Sequence, residues 1–208
     1  MKILLDIEGT TTPIAFVHDL LFPYARAHLA IDPGDAAALE AEYIHDTDRP
    51  ATFEPRSYAL WLMDRDRKST ALKALQGKLW RHGYESGELC SLVFDDVPPA
   101  LAAWRAAGIP VEIYSSGSIE AQQLLFRYSN HGDLTPYLAG YHDTTTGPKR
   151  EATSYRAIGG PGTFVSDVVE ELAAANDAGF TGVLSLRPGN APVRAHPFRE
   201  IHSFAELI

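Results

Sequence analysis

Short apolar runs recur along the chain, and each ends in a polar residue or a turn. Four of them have the length and composition of buried β-strands, at residues 3–5, 111–114, 163–165 and 183–186. Apolar residues at helical spacing fill stretches between them, at residues 99–107, 119–126 and 168–178. Because short buried strands alternate with helices, the sequence predicts an α/β fold with a doubly wound parallel sheet.

Residues 18–94 break this alternation. They contain no buried strand pattern and are rich in Ala, Leu, Arg and Glu at helical spacing, with apolar faces supplied by Leu60, Trp61, Leu72, Leu75, Leu79 and Trp80. The pattern therefore predicts two domains: a core made of residues 1–17 and 95–208, and an inserted helical cap made of residues 18–94.

Composition and charge narrow the function classes. The 208 residues are 45% hydrophobic and 22% charged, which is typical of a globular domain. The formal net charge of −9 would repel a phosphate backbone, so we expect no nucleic-acid partner. A single cysteine, Cys90, allows no internal disulfide, and no segment has the pattern of a signal peptide or a membrane span. We expect a cytoplasmic protein.

Polar side chains follow three of the predicted strands. Asp6, Ser115 and Asp167 each stand where a strand ends. Since parallel sheets bind ligands beyond the carboxyl ends of their strands, these residues are expected to converge on one crevice. Glu8 lies two residues after Asp6, and Gly9 permits a sharp turn there. A solvated turn or a helix cap remains the alternative for Asp6 and Glu8.

The segment around Ser115 and Ser116 also has the pattern of an anion site, because it links a strand to a helix and offers hydroxyls and free N–H groups. Ser118 fits an ordinary helix cap better. Lys149 would give a bound phosphate a fixed positive charge, although a lone lysine is more often a solvated loop residue.

Acidic residues cluster with no zinc-type spacing of His or Cys. Asp6 and Asp167 are therefore expected to hold a hard cation such as Mg²⁺. Glu171 lies four residues after Asp167, on the same side of a helix, and is predicted to orient a metal-bound water. Favourable charge in the first turn of a helix is the alternative for Glu171.

In chain order, Asp6 with Glu8, Ser115, Lys149 and Asp167 resemble the motifs of the haloacid dehalogenase superfamily. That superfamily generally has aspartate where this chain has Glu8. The run DIEGTTTPI that begins at Asp6 instead resembles the enolase-phosphatase E1 (acireductone synthase) family. Further stretches are similar to that family: LFPYA, LQG, IYSSGS, EAQQLLF and RPGNA.

The resemblance implies a sheet of order 3-2-1-4-5 with an inserted cap. It implies a phosphorylated diketone of methionine salvage as substrate, 2,3-diketo-5-methylthiopentyl-1-phosphate, which is enolised and then dephosphorylated. It assigns nucleophilic attack to Asp6, proton transfer to Glu8 and phosphate binding to Ser115, Ser116 and Lys149. One Mg²⁺ per chain would be held by Asp6, Glu8 and Asp167. We expect a monomeric enzyme with no membrane partner.

Two other functions remain open from the residues. Another phosphatase or phosphonatase of the superfamily would share the core but select a different substrate through its cap. A phospho-accepting receiver domain would also use an aspartate, a hydroxyl, a lysine and Mg²⁺. Its acceptor would follow a later strand, however, and it would lack both the second acid at Glu8 and the cap.

Overall fold

Six parallel strands form the sheet that positions the predicted site residues. The computed structural model describes residues 1–208. The strands are β1 (Lys2–Leu5), β2 (Val111–Tyr114), β3 (Gly140–His142), β4 (Gly162–Ser166), β5 (Thr181–Ser185) and β6 (Arg199–Ile201). Their order is β3-β2-β1-β4-β5-β6, and every neighbouring pair is parallel. The predicted doubly wound sheet is confirmed, and β6 extends the expected order by one strand.

Helices occupy most of the chain between the strands. The α-helices are α1 (Ile14–Phe16), α2 (Phe22–Ala27), α3 (Pro33–His45), α4 (Pro55–Asp64), α5 (Thr70–Ser86), α6 (Val97–Ala106), α7 (Ile119–Arg127), α8 (Ala152–Ile158) and α9 (Val169–Asp177). A π-helix spans Val17–Leu21, and 3₁₀ turns span Thr135–Tyr137 and Phe204–Leu207.

Burial explains which strands the apolar pattern detects. Leu4, Leu5, Ile113, Phe164 and Val165 on the central strands are fully buried. In the register of the sheet, Leu5 lies opposite Ile113 on β2 and opposite Val165 on β4. The chain therefore leaves β1, β2 and β4 at nearly the same level, at the carboxyl ends of the strands, where the predicted site residues lie.

Local sequence determines where the core helices begin and end. α6 begins two residues before its predicted start because prolines are tolerated in a first turn, whose N–H groups have no helical partner. The Ser118 hydroxyl accepts a hydrogen bond from the amide of Ala121 and caps α7, as predicted for that serine. Gly179 follows α9 with a φ of 92°, a conformation that favours glycine as a helix stop.

The chain divides into two compact units. One consists of Met1–His18 with Cys90–Ile208, and the other consists of Asp19–Leu89. These boundaries lie one residue and five residues from the boundaries that the sequence pattern predicts. The sheet belongs entirely to the first unit.

The second unit is helical and has its own apolar core. Asp32 caps α3 through a reciprocal pair of hydrogen bonds with Asp35, and the Ser69 hydroxyl caps α5. The buried core residues are Leu29, Leu39, Tyr43, Tyr58, Ala59, Leu62, Leu72 and Leu75. Trp61 packs against this core, and the indole N–H of Trp80 donates to the carbonyl of Leu21 at 2.8 Å. No helix in the structure is long and apolar enough to cross a membrane.

Candidate active site

Asp6 is the residue at which β1 leaves the sheet, and its buried carboxylate is enclosed by donors. Oδ1 accepts from the amide of Ile7 at 2.8 Å and lies 2.7 Å from Nζ of Lys149. Oδ2 accepts from the hydroxyl of Ser166 at 2.9 Å. Neighbouring backbone holds the residue in place, since its amide donates to the carbonyl of Val165 at 3.0 Å. A carboxylate fixed in this way presents its oxygens in one orientation.

The turn after Asp6 depends on Gly9. Its φ is 67°, and its amide donates to the carbonyl of Thr12 at 2.8 Å. A methyl group on Gly9 would lie 2.4 Å from Oδ2 of Asp167, which is far inside van der Waals contact. Glycine is therefore required both by the backbone conformation and by the close approach of Asp167. The predicted sharp turn after Glu8 is confirmed by this geometry.

Lys149 lies between two carboxylates. Its Nζ is 2.7 Å from Oδ1 of Asp6 and 2.7 Å from Oε2 of Glu171, and its side chain is only 10% exposed. Burial would lower the pKa of Lys149, but the charges of Asp6 and Glu171 outweigh it and raise the pKa. Lys149 is therefore a charged residue of the buried site, and the solvated-loop alternative for it is wrong.

Two tyrosines hold the loop that carries Lys149. The hydroxyl of Tyr114 donates to the carbonyl of Gly147 at 2.8 Å, and the hydroxyl of Tyr155 donates to the carbonyl of Lys149 at 2.7 Å. Both rings are fully buried in the core. The lysine is thus held at its backbone as well as at its ammonium group.

Glu171 reaches the site from the first turn of α9. Burial and the charge of Asp6 raise the pKa of Glu171, although Lys149 opposes them. The hydroxyl of Ser166 is 3.2 Å from Oε2 of Glu171 and also contacts Asp6, so it links the two acids. Glu171 is therefore the second ion-pair partner of Lys149, and not only a favourable charge in the first turn of a helix.

Asp167 follows β4 and lies beside the Gly9 turn. Burial, together with the nearby charge of Asp6, raises the pKa of Asp167 from 3.8 to about 7. Asp6, Asp167 and Glu171 share a single neutralising side chain, Lys149, and this lysine contacts only two of them. Of the three acids, Asp167 is therefore the one without an ion pair to Lys149.

Ser115 and Ser116 stand at the carboxyl end of β2, the neighbour of β1. Ser115 is buried, and its hydroxyl accepts a hydrogen bond from the amide of Gly117 at 3.3 Å. Ser116 is exposed. The side-chain amide of Gln122 donates to the carbonyl of Gly117 at 2.8 Å, which fixes the loop. The two serines lie at the same carboxyl end of the sheet as Asp6, as the strand pattern predicts.

The predicted metal ligands, Asp6, Glu8 and Asp167, stay a prediction. No group of three His, Cys, Asp or Glu side chains is arranged to hold a metal ion. The Asp6 carboxylate is turned towards Lys149 and Ser166. Mg²⁺ is commonly bound through one or two carboxylates with retained waters and substrate phosphate. The carboxylates of Asp6 and Asp167 fit that requirement.

Three site residues were missed from the sequence. Ser166 joins Asp6 to Glu171, and a small polar residue between a buried strand and Asp167 was its only signal. Arg187 and Asn190, on the loop after β5, donate to carbonyls of the turn after β1. No local pattern could assign that contact, because the two loops are far apart in the sequence.

Comparisons with known proteins show which sequences and structures this chain is similar to. The chain matches the family described as haloacid dehalogenase-like hydrolase over residues 3–179. It is 51% identical to enolase-phosphatase E1 of Synechococcus elongatus, over 99% of this chain and 96% of that protein. It is 45% identical to a probable bifunctional methylthioribulose-1-phosphate dehydratase/enolase-phosphatase E1 of Vitis vinifera, over 99% of this chain and 45% of that protein. Among solved structures, the UTR4 protein of Saccharomyces cerevisiae matches with a TM-score of 0.80 and 35% identity, over 97% of each chain.

Proposed function

This chain belongs to the enolase-phosphatase E1 family of haloacid dehalogenase-like hydrolases, and from that membership we propose the substrate and the roles of its residues. The substrate is 2,3-diketo-5-methylthiopentyl-1-phosphate. The chain enolises it and then removes the phosphate, which yields the acireductone 1,2-dihydroxy-3-keto-5-methylthiopentene. A place in methionine salvage is supported by the plant relatives, whose names join this activity to methylthioribulose-1-phosphate dehydratase.

One observation supports the phosphatase half above the others: the buried Asp6 carboxylate is held by Lys149, with Glu171 as the second partner of that lysine. In the proposed step an oxygen of Asp6 attacks phosphorus, and the bond between phosphorus and the substrate oxygen breaks. Glu8 gives a proton to that departing oxygen. Glu8 then takes a proton from a water molecule, which attacks phosphorus and releases phosphate from Asp6.

Lys149 and the serine loop have complementary roles in this step. Lys149 is charged and buried, so its attraction for phosphoryl oxygens is screened less than that of a surface lysine. Ser115 and Ser116, at the neighbouring strand end, donate hydroxyl hydrogen bonds to the same phosphoryl group. Donors fixed in advance stabilise the charge that develops in the transition state without having to reorganise.

We assign one Mg²⁺ per chain to Asp6, Glu8 and Asp167, in keeping with the general use of Mg²⁺ by hydrolases of this family. When bound, the ion offsets the repulsion between carboxylates and phosphate and polarises the diketone for enolisation. Asp167 supplies a ligand that Lys149 does not contact. Glu171 keeps Lys149 in place and orients a water on the ion.

The proposed substrate can be tested directly. Purified enzyme is given the diketone phosphate or a panel of unrelated phosphate monoesters, with Mg²⁺, and both enol absorbance and phosphate release are followed. We expect the diketone phosphate to be turned over with a kcat/KM far above that of any other ester. Equal turnover of simple sugar phosphates with no enol signal would show instead a phosphatase of different specificity.

A further inference from the structure

The loop after β5 reaches across to the turn that follows Asp6. Nε of Arg187 donates to the carbonyl of Thr10 at 3.0 Å. Nδ2 of Asn190 donates to the carbonyl of Gly9 at 2.9 Å and to the carbonyl of Ser185 at 3.1 Å. Two consecutive carbonyls of the turn are therefore held by side chains of one loop.

The orientation of the Asn190 amide follows from these partners. Both carbonyls need donors, so the nitrogen of the amide must face them and Oδ1 must point the other way. Oδ1 is buried and has no hydrogen-bond partner in the structure. A buried acceptor without a donor is unfavourable, so we expect a hydrogen-bond donor to bind beside this atom.

Asp167 and this oxygen both lie close to Gly9. A methyl group on Gly9 would lie 2.4 Å from Oδ2 of Asp167 and 2.9 Å from Oδ1 of Asn190. An ionised Asp167 carboxylate only accepts hydrogen bonds, so it does not satisfy Oδ1 of Asn190. A water molecule held by a cation satisfies both, because the cation attracts the carboxylate and makes the water a strong hydrogen-bond donor.

We propose that Asn190 is a positioning residue of the Mg²⁺ site, whose Oδ1 accepts a hydrogen bond from a water bound to the ion at Asp167. This inference rests on the Mg²⁺ site assigned under the proposed function. An amide suits the position because it adds an acceptor without adding charge beside Asp6, Asp167 and Glu171. Residues that orient the surroundings of a metal typically change its affinity by about 10–100-fold when they are replaced.

Three variants separate this role from a structural tie between the loops. Asn190→Ala removes both the donors and the acceptor. Asn190→Asp removes the donors to Gly9 and Ser185 but keeps an acceptor oxygen. Asn176→Ala, on the exposed face of α9, is the matched control. For each purified protein, binding of Mg²⁺ alone is measured by isothermal titration calorimetry, and thermal unfolding is measured without metal.

We expect Asn190→Ala to bind Mg²⁺ about tenfold more weakly than the parent, and to regain most of its kcat at saturating Mg²⁺. Asn190→Asp is expected to bind Mg²⁺ at least as tightly as the parent while unfolding at a lower temperature. The control should match the parent in both measurements.

Two results would overturn the inference. One is an unchanged Mg²⁺ affinity in Asn190→Ala, and the other is an equal loss of affinity in both Asn190 variants that parallels their loss of stability. Either result would show that Asn190 only connects the two loops, and it would not affect the proposed function. A parent enzyme that binds no Mg²⁺ would instead refute the Mg²⁺ site assigned under the proposed function.

Discussion

Replacing Lys149 by methionine tests whether this lysine compensates the buried charges of Asp6 and Glu171, as the distances indicate. Methionine keeps the length and the apolar body of lysine but removes the ammonium group. Asp6 and Glu171, each 2.7 Å from that group, then face each other's charge in a buried site. We expect a large loss of stability and the loss of phosphatase activity.

The size of the effect follows from two opposing contributions. At an effective dielectric constant of about 20, each 2.7 Å contact gives roughly 6 kcal/mol of gross attraction. The desolvation of the buried charges offsets most of this attraction. Measured losses on breaking a buried pair are about 3–5 kcal/mol, because the remaining charge is left uncompensated. We therefore expect Lys149→Met to lower the free energy of unfolding by about 3 kcal/mol or more.

A second variant identifies the source of that loss. In Lys149→Met with Glu171→Gln, one of the two facing negative charges is gone, so we expect about 2 kcal/mol of the stability to return. Activity should stay lost, because neither variant restores the cation that is proposed to hold the phosphoryl group. Lys68→Met, at an exposed lysine of the helical unit, is the control and should unfold like the parent.

The assay has to report on the unit that contains the sheet. Trp104 is buried in that unit, whereas Trp61 and Trp80 belong to the helical unit. Urea unfolding of each variant is therefore followed by Trp104 fluorescence in a background where Trp61 and Trp80 are phenylalanine, with chelator present. The reasoning is refuted if Lys149→Met unfolds at the parent's urea concentration, or if the double variant is no more stable than Lys149→Met.

Three further predictions concern the turn, the nucleophile and pH. Gly9 has a φ of 67°, and a methyl group there would lie 2.4 Å from Asp167. Gly9→Ala should therefore lower the free energy of unfolding by more than about 1 kcal/mol and weaken Mg²⁺ binding. An unfolding temperature and a Mg²⁺ affinity equal to those of the parent, both measured by calorimetry, would contradict this. Asp6→Asn should still form the enol phosphate at raised Mg²⁺ but release no phosphate, as followed by enol absorbance and a phosphate assay; release at the parent rate would exclude Asp6 as nucleophile. Because the pKa of Asp167 is raised to about 7 in the fold, the metal-free protein should lose stability as pH rises from 4 to 7. Asp167→Asn should lose less stability over the same range. The urea concentration at the unfolding midpoint, measured from pH 4 to pH 7 for both proteins, tests this.

The sequence allowed prediction of the strands that are buried on both faces and little of the sheet's edges. β1, β2, β4 and β5 each contain an apolar run that periodicity detects. β3 and β6 have three residues each, lie at the two edges of the sheet and include partly or fully exposed side chains, so they leave no such run. Their pairing is determined by tertiary contacts that a local pattern does not contain.

The candidate site was predictable where chemistry coincides with a strand end. Asp6, Ser115 and Asp167 could be placed at one end of the sheet because the carboxyl ends of parallel strands lie side by side. The contact between Lys149 and Glu171 could not be predicted, since the lysine lies on a loop before α8 and the acid lies on α9. The same holds for Asn190, whose partners are carbonyls of the turn after β1 and of β5.

The central claim is that Asp6 carries the phosphoryl group during turnover. The most direct measurement is a single-turnover reaction of the diketone phosphate with Mg²⁺, quenched in acid at successive early times, digested and mapped by mass spectrometry. We predict a phosphoryl adduct on Asp6 that rises before free phosphate appears and then decays as phosphate accumulates. Free phosphate that accumulates with no adduct at any early time, or an adduct on a residue other than Asp6, would contradict the account.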